Sequence, residues 1–323
     1  MRPRCASTSI PTGGEFSPGG ELMQRVEWRR RLRGIICFPL TPFTEDDRLD
    51  LAALERDVDK LLGYPFCAIN APAGISEIFS LDVEEAVAVV RKTVELVRGR
   101  MPVIGSVCFN TPLAAAMARG MEQAGADALL VLPPYYQQPA EEGLLAYYRR
   151  IGEACGLPLI VYSRGWAAFT PDQVARLAEA VPTLAMWKDG QADGRMLQRI
   201  MARVGDRLVW IGGAGDDCGA VYAAIGIRAF TSSVSAILPR LALAWGQAAL
   251  EGDFDLLNML LTRYVHPLFA LRARKRGYEV AAMKKAAELV GRPCGRPRPP
   301  IPELGPAEID ELRRWLESCA EFV

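Results

Sequence analysis

Eight short apolar runs punctuate the chain: GIICFPL (34–40), CAINA (67–71), PVIGSV (102–107), ADALLVL (126–132), PLIVYS (158–163), TLAMWKD (183–189), RLVWIGG (207–213) and RAFTSS (228–233). Each is continuous rather than alternating, the pattern of a strand covered on both faces. Between them, stretches such as DLAALERDVDKLLG, VEEAVAVVRKTVELVRG and TPLAAAMARGMEQAG carry a 3.6-residue rhythm and predict amphipathic helices. Asp50, Asp82 and Thr111 are the expected N-caps, and Gly63, Gly99 and Gly125 the expected C-caps. Seven strands have a clear helix after them, and an eighth helix is expected from about Pro239. Strict alternation at this length predicts an α/β fold, a (β/α)8 TIM barrel spanning residues 31–250. A doubly wound open sheet is the runner-up, but no glycine-rich phosphate turn follows the first strand.

Residues 251–323 read as an appended C-terminal helical subdomain, built from FDLLNMLLTRYVHPLFALRARKRG, EVAAMKKAAELVG and PAEIDELRRWLESCA, the last two separated by a proline-rich loop. Residues 1–30 hold basic and small residues with no apolar core of a secretory signal, and read as a disordered leader.

Composition narrows the function. The 323 residues have zero formal net charge, which gives no electrostatic reason to expect nucleic acid or a membrane surface as partner. No apolar run approaches the roughly 18 residues of a membrane span. None of the eight cysteines forms a C-x-x-C pair, so a reduced, cytoplasmic setting is expected. The single histidine, His266, falls in the C-terminal helices and excludes a histidine-rich metal site; neither a metal nor a cofactor is expected.

In such a barrel, chemistry sits at the C-terminal ends of the strands. Those ends carry Thr41 after strand 1, APAGISE after strand 2, Asn110 after strand 3, PPYYQQP after strand 4, YSRG on strand 5, KDG on strand 6, GGAGDD on strand 7 and TSSVS on strand 8. Tyr162 and Lys188 therefore occupy the same face of adjacent strands. The chain has only six lysines against 32 arginines, and Lys188 is the one that ends an apolar strand. A desolvated lysine becomes a nucleophile toward carbonyls. The alternative for Lys188 is a solvent-facing amine or a partner for Asp189.

GIICFPLTPF, GISEIFSL, GADALLVLPPYYQQPAEEGLLAYY, IVYSR, KDG and GYEVAAMKKAAELVG together resemble, in order and spacing, the dihydrodipicolinate synthase / N-acetylneuraminate lyase family over about residues 34–304. The resemblance implies that Lys188 forms a Schiff base with the ketone of a small-molecule 2-oxo acid and that Tyr162 relays protons. Arg164, EIFSL, VGDRLVWIGG and the paired Ser232 and Ser233 are most similar to the 5-dehydro-4-deoxyglucarate dehydratase branch, whose members remove water and carbon dioxide from a six-carbon keto-diacid to give 2,5-dioxopentanoate. The implied substrate-binding set is Thr41, Gly74, Ser76, Tyr136, Arg164, Gly213, Ser232 and Ser233, with Tyr136 reaching into a neighbouring subunit of a homodimer or homotetramer.

The chain departs from the family pattern at Ile75 and Ser76, where a threonine and a glycine normally precede the glutamate, here Glu77. Isoleucine offers no hydroxyl to a carboxylate, so an aldolase or synthase acting on another 2-oxo acid is the alternative, and a non-catalytic relative the second. A phosphate-binding barrel is disfavoured because Asp216 and Asp217 stand where the anion would lie.

Overall fold

The computed structural model describes residues 26–134 and 138–323. Eight strands, β1 (Gly34–Cys37), β2 (Ala68–Asn70), β3 (Val103–Val107), β4 (Ala128–Val131), β5 (Leu159–Ser163), β6 (Leu184–Asp189), β7 (Val209–Gly212) and β8 (Ala229–Ser232), pair in parallel and in chain order until β8 meets β1. The expected barrel is therefore closed. Strand residues such as Leu159, Ile160 and Val161 are buried, as continuous apolar runs require when helices cover the outside of the sheet.

Most of the leader expected over residues 1–30 lies outside the described residues. Its end does not: residues 26–31 are helical (α1), and Trp28 and Leu32 are buried. After the strands come α2 (Leu51–Leu61), α3 (Val83–Val97), α4 (Thr111–Gln123), α5 (Glu141–Ala154), α6 (Pro171–Ala180), α7 (Gly194–Val204), α8 (Gly219–Ala224) and α9 (Pro239–Glu251). Asp50 caps α2, and Asp82 caps α3 in a reciprocal box with Glu85. Thr111 is not a cap: Asn110 accepts from the Leu113 N–H, which leaves Thr111 as the first residue of α4. Gly125 takes the left-handed backbone, φ +89°, that a helix exit favours, whereas α2 leaves through Leu62 in a right-handed turn and Gly63 has no such role.

The C-terminal part consists of α10 (Phe254–Leu260), a π-helical stretch (Leu261–Val265), α11 (His266–Arg272), α12 (Tyr278–Leu289) and α13 (Pro306–Ser318). Its buried residues Leu257, Leu268, Met283 and Leu312 belong to the same apolar cluster as the barrel. The segment after α12 returns to the barrel mouth. The Phe43 N–H donates to the Cys294 carbonyl, and Arg292 pairs with Asp57 at 2.8 Å. No helix among the described residues is long and apolar enough to cross a membrane.

Candidate active site

Register brings the tyrosine and the lysine together. Tyr162 on β5 is the Cα partner of Lys188 on β6. Side chains alternate along a strand, so these two share a face, while Trp187 projects oppositely and packs edge-on against Phe169 at 5.1 Å. The Lys188 Nζ lies 4.0 Å from the centre of the Tyr162 ring and 4.9 Å from that of Phe38.

Lys188 is 5 % exposed, and no carboxylate among the described residues forms an ion pair with it. Burial, helped by the nearby charge of Arg164, pulls its amine down from the ordinary 10.5 to about 7. The neighbouring Asp189 does not neutralise it. That carboxylate instead accepts from the Tyr222 hydroxyl at 2.8 Å and the Ala192 N–H at 3.0 Å. Tyr222 also accepts from the Ala214 N–H, so one phenol on α8 braces the loops after β6 and β7.

Two glycines make the arrangement possible. A Cβ on Gly213 would stand 2.3 Å from Cε of Lys188, so the lysine stem lies where any other residue would intrude. A Cβ on Gly190 would stand 2.5 Å from the Tyr162 ring. The Tyr162 hydroxyl donates to the Gly213 carbonyl at 3.0 Å, and burial holds this phenol above the usual tyrosine range.

Arg164 does not extend β5 as the sequence suggested; the strand ends at Ser163 and the side chain is exposed. It folds back all the same. Its Nη1 donates to the Gly190 carbonyl at 3.0 Å and the Ala214 carbonyl at 3.3 Å, above the ends of β6 and β7.

Four hydroxyls expected to meet substrate are engaged elsewhere. Ser76 Oγ donates to the Pro39 carbonyl at 2.5 Å and Thr41 Oγ1 to the Ser76 carbonyl at 2.6 Å, both side chains being buried. In this arrangement each of the two hydroxyl protons is given to a backbone carbonyl. Ser232 and Ser233 both donate to the fully buried carboxylate of Asp216. Gly74 lies in the open turn before Ile75, which is partly buried. Tyr136 lies outside the described residues.

The sequence reading missed a buried ion pair that fixes the turn after β2. Lys284 on α12 contacts the Glu77 carboxylate at 2.6 Å, and both side chains are almost wholly buried. Glu77 sits in the left-handed region, φ +59°, and also accepts from the Arg298 N–H at 3.0 Å. The Phe43 ring lies 4.0 Å from the Lys284 amine and 4.0 Å from the Arg298 guanidinium. The available signal was periodicity: within EVAAMKKAAELVG, Lys284 shares the helix face of Val280, Ala281 and Ala287.

Among the described residues, no group of three His, Cys, Asp or Glu side chains stands together to hold a metal ion. Of the seven cysteines described there, Cys37, Cys108, Cys155, Cys294 and Cys319 are buried. Burial pushes the Cys37 thiol up to about 12, far from a reactive thiolate.

Known proteins resemble this chain over most of its length. A protein of Bradyrhizobium diazoefficiens named probable 5-dehydro-4-deoxyglucarate dehydratase is 36 % identical over 281 residues, covering 86 % of this chain and 90 % of its own. One of the same name from Methylobacterium radiotolerans is 37 % identical over 281 residues, covering 86 % and 92 %. The crystal structure of dihydrodipicolinate synthase from Oceanobacillus iheyensis superposes with a TM-score of 0.85 at 26 % identity, over 92 % of this chain and 99 % of that one. The dihydrodipicolinate synthetase family matches residues 31–319, and the chain belongs to it.

Proposed function

We propose that the protein is a lysine Schiff-base lyase that dehydrates and decarboxylates a six-carbon 2-oxo diacid of the 5-dehydro-4-deoxyglucarate type. The observation that carries the reading is the buried Lys188 amine, 4.0 Å from the Tyr162 ring and without an ion-pair partner among the described residues; burial pulls it down to about 7. About half of such an amine is unprotonated at neutral pH, and the free base attacks ketones.

Addition of Nζ to the C2 ketone and loss of that oxygen as water gives a protonated imine. The imine draws electrons from the C3–H bond, and the resulting enamine expels the C4 hydroxyl as a second water. Only then does a conjugated path run from the imine to C5. Along it the C5–C6 bond can break, releasing carbon dioxide and leaving its electron pair on the dienamine. Reprotonation, and hydrolysis that takes back one water, frees 2,5-dioxopentanoate and the amine. The net loss is one water and one carbon dioxide. Tyr162 is the group placed to carry protons to and from the departing oxygens, and positioned acid–base catalysts of this kind contribute roughly 10²–10⁴-fold. The relatives' printed names support dehydration over carbon–carbon cleavage.

Incubation with 5-dehydro-4-deoxyglucarate and borohydride, followed by peptide mass mapping, should place a reduced adduct on Lys188, and without reductant carbon dioxide should evolve. The trapping rate should rise with pH through about 7 and then level, as the amine loses its proton. An adduct on another lysine, or none, refutes the Schiff base. A Lys188 adduct without carbon dioxide evolution moves the reaction to an aldol cleavage or condensation.

A further inference from the structure

The chain leaves β7 through two glycines, and each leaves room for a different side chain. A Cβ on Gly213 would meet the Lys188 stem, and one on Gly212 would stand 2.5 Å from Cδ2 of Tyr222. Lys188 lies on the inner side of the sheet and Tyr222, on α8, on the outer side, so successive glycines clear opposite faces. Tyr222 is 1 % exposed, its ring pressed against the backbone that runs into the peptide between Gly213 and Ala214.

Both polar ends of that peptide are taken. The Ala214 N–H donates to the Tyr222 hydroxyl oxygen at 3.1 Å, and the Gly213 carbonyl accepts from the Tyr162 hydroxyl at 3.0 Å. The Tyr222 proton goes on to Asp189, whose Oδ2 lies at 2.8 Å and whose carbonyl oxygen lies at 3.1 Å. Asp189 is itself buried, and its Oδ2 also accepts from the Ala192 N–H. Burial, with the Asp189 charge beside it, holds the Tyr222 phenol above the usual tyrosine range, so it stays a donor. Every bond in the run therefore points the same way. Tyr162 O–H gives to the peptide carbonyl, the peptide N–H gives to the Tyr222 oxygen, and Tyr222 O–H gives to Asp189. Hydrogen bonds aligned in this sense polarise one another, and this run ends on a carboxylate.

We infer that Tyr222 and Asp189 are positioning residues for the reaction: they orient the Gly213–Ala214 peptide and, through its carbonyl, fix the direction of the Tyr162 O–H. The Gly213 carbonyl is the resting acceptor of that proton. Its placement sets how far the O–H must turn to reach a departing oxygen of the ligand. The inference rests on the reading of Tyr162 as the proton carrier, and both residues act through Tyr162 rather than on the reacting atoms.

Steady-state kinetics on 5-dehydro-4-deoxyglucarate test this with single and paired variants. Tyr222→Phe keeps the ring against Gly212 and removes only the hydroxyl. It should lower kcat about tenfold to a hundredfold, part of the roughly 10²–10⁴-fold that a positioned proton carrier contributes, with KM changed less than about twofold. Asp189→Asn keeps an acceptor for Tyr222 but drops the charge, and should lower kcat less. It carries the comparison alone where melting curves show Tyr222→Phe unfolded. The decisive comparison is with Tyr162→Phe. Once that hydroxyl is gone, adding Tyr222→Phe or Asp189→Asn should cost no further activity, as for residues that act as a unit. Losses that multiply, or a loss carried by KM alone, would make both residues structural props and overturn the inference, as would unchanged kcat in the two single variants. A second readout needs no turnover. In protein labelled with 3-fluorotyrosine, the Tyr162 fluorine resonance, assigned by its loss in Tyr162→Phe, should move in Tyr222→Phe and, by less, in Asp189→Asn. A moved resonance in protein that turns over no 2-oxo acid keeps the positioning role and removes the proposed reaction. An unmoved resonance in an active enzyme does the reverse.

Discussion

Replacing Lys188 by methionine should stabilise the protein while abolishing its chemistry. The native amine binds its proton with a pKa of about 7, against the ordinary 10.5 of an unfolded chain. At about 1.36 kcal/mol per tenfold in proton affinity, burying the charged amine costs on the order of 5 kcal/mol. Below pH 7 both states are protonated and the whole cost is present. Between pH 7 and 10.5 the unfolded chain holds a proton that the native chain has released, so raising the pH stabilises the wild type by up to about 1.36 kcal/mol per pH unit. Methionine fills a similar volume, suits the faces of Tyr162 and Phe38, and has no charge to lose. Its advantage should be largest at pH 6 and shrink steadily toward pH 10. With an unfolding entropy of about 2.1 cal/mol/K per residue, a chain of this length gains roughly 7 °C in Tm at pH 6. Every other titrating group is common to both proteins, so the difference in Tm, scanned by calorimetry from pH 6 to 9.5, isolates this amine. A difference that stays constant with pH, or a methionine variant that melts below wild type at pH 6, refutes the buried uncompensated amine and the reactivity assigned to it.

Tyr162→Phe should keep the fold, losing one hydrogen bond to the Gly213 carbonyl worth about 1 kcal/mol, while kcat falls roughly 10²–10⁴-fold in steady-state assays. Unaltered turnover would leave Tyr162 as packing alone. Glu77→Gln and Lys284→Met should each cost about 3–5 kcal/mol, because each strands a buried partner. The double variant should cost at least 1 kcal/mol less than the sum of the two, and strictly additive losses in a thermal double-mutant cycle would dismiss the pair.

The barrel was legible because its signals are local and repeated. Each strand is an uninterrupted apolar run, each helix has a 3.6-residue stripe, and strands in chain order leave one closure, β8 on β1. Tyr162 and Lys188 were legible for the same reason: a repeating strand–helix unit makes 26 residues of sequence into one step around the sheet, and the register pairs them. Hydroxyl-bearing residues were harder. Thr41, Ser76, Ser232 and Ser233 all stand at strand ends, but a strand end says nothing about where a freely rotating O–H finds its acceptor. The nearest acceptors are the Pro39 and Ser76 carbonyls and Asp216.

The least legible parts are the cations contributed from far along the chain. Lys284 lies 207 positions from Glu77, and Arg272, whose Nη1 donates to Ser233 Oγ at the end of β8, lies 39 positions from that serine. Periodicity puts Lys284 on the buried face of α12, but nothing in the sequence of either helix relates its cation to a particular barrel strand. What joins them to the site is the path of the segment after α9, which carries α11 onto the β7 loop through Phe269 and α12 onto the β2 turn through Lys284. The C-terminal helices therefore brace the candidate site: without Lys284 the Glu77 carboxylate would be buried with only the Arg298 N–H to meet it, and the turn after β2, where Glu77 is left-handed, would lose that contact. A barrel truncated after α9 would retain Lys188 and Tyr162 but neither of these supports.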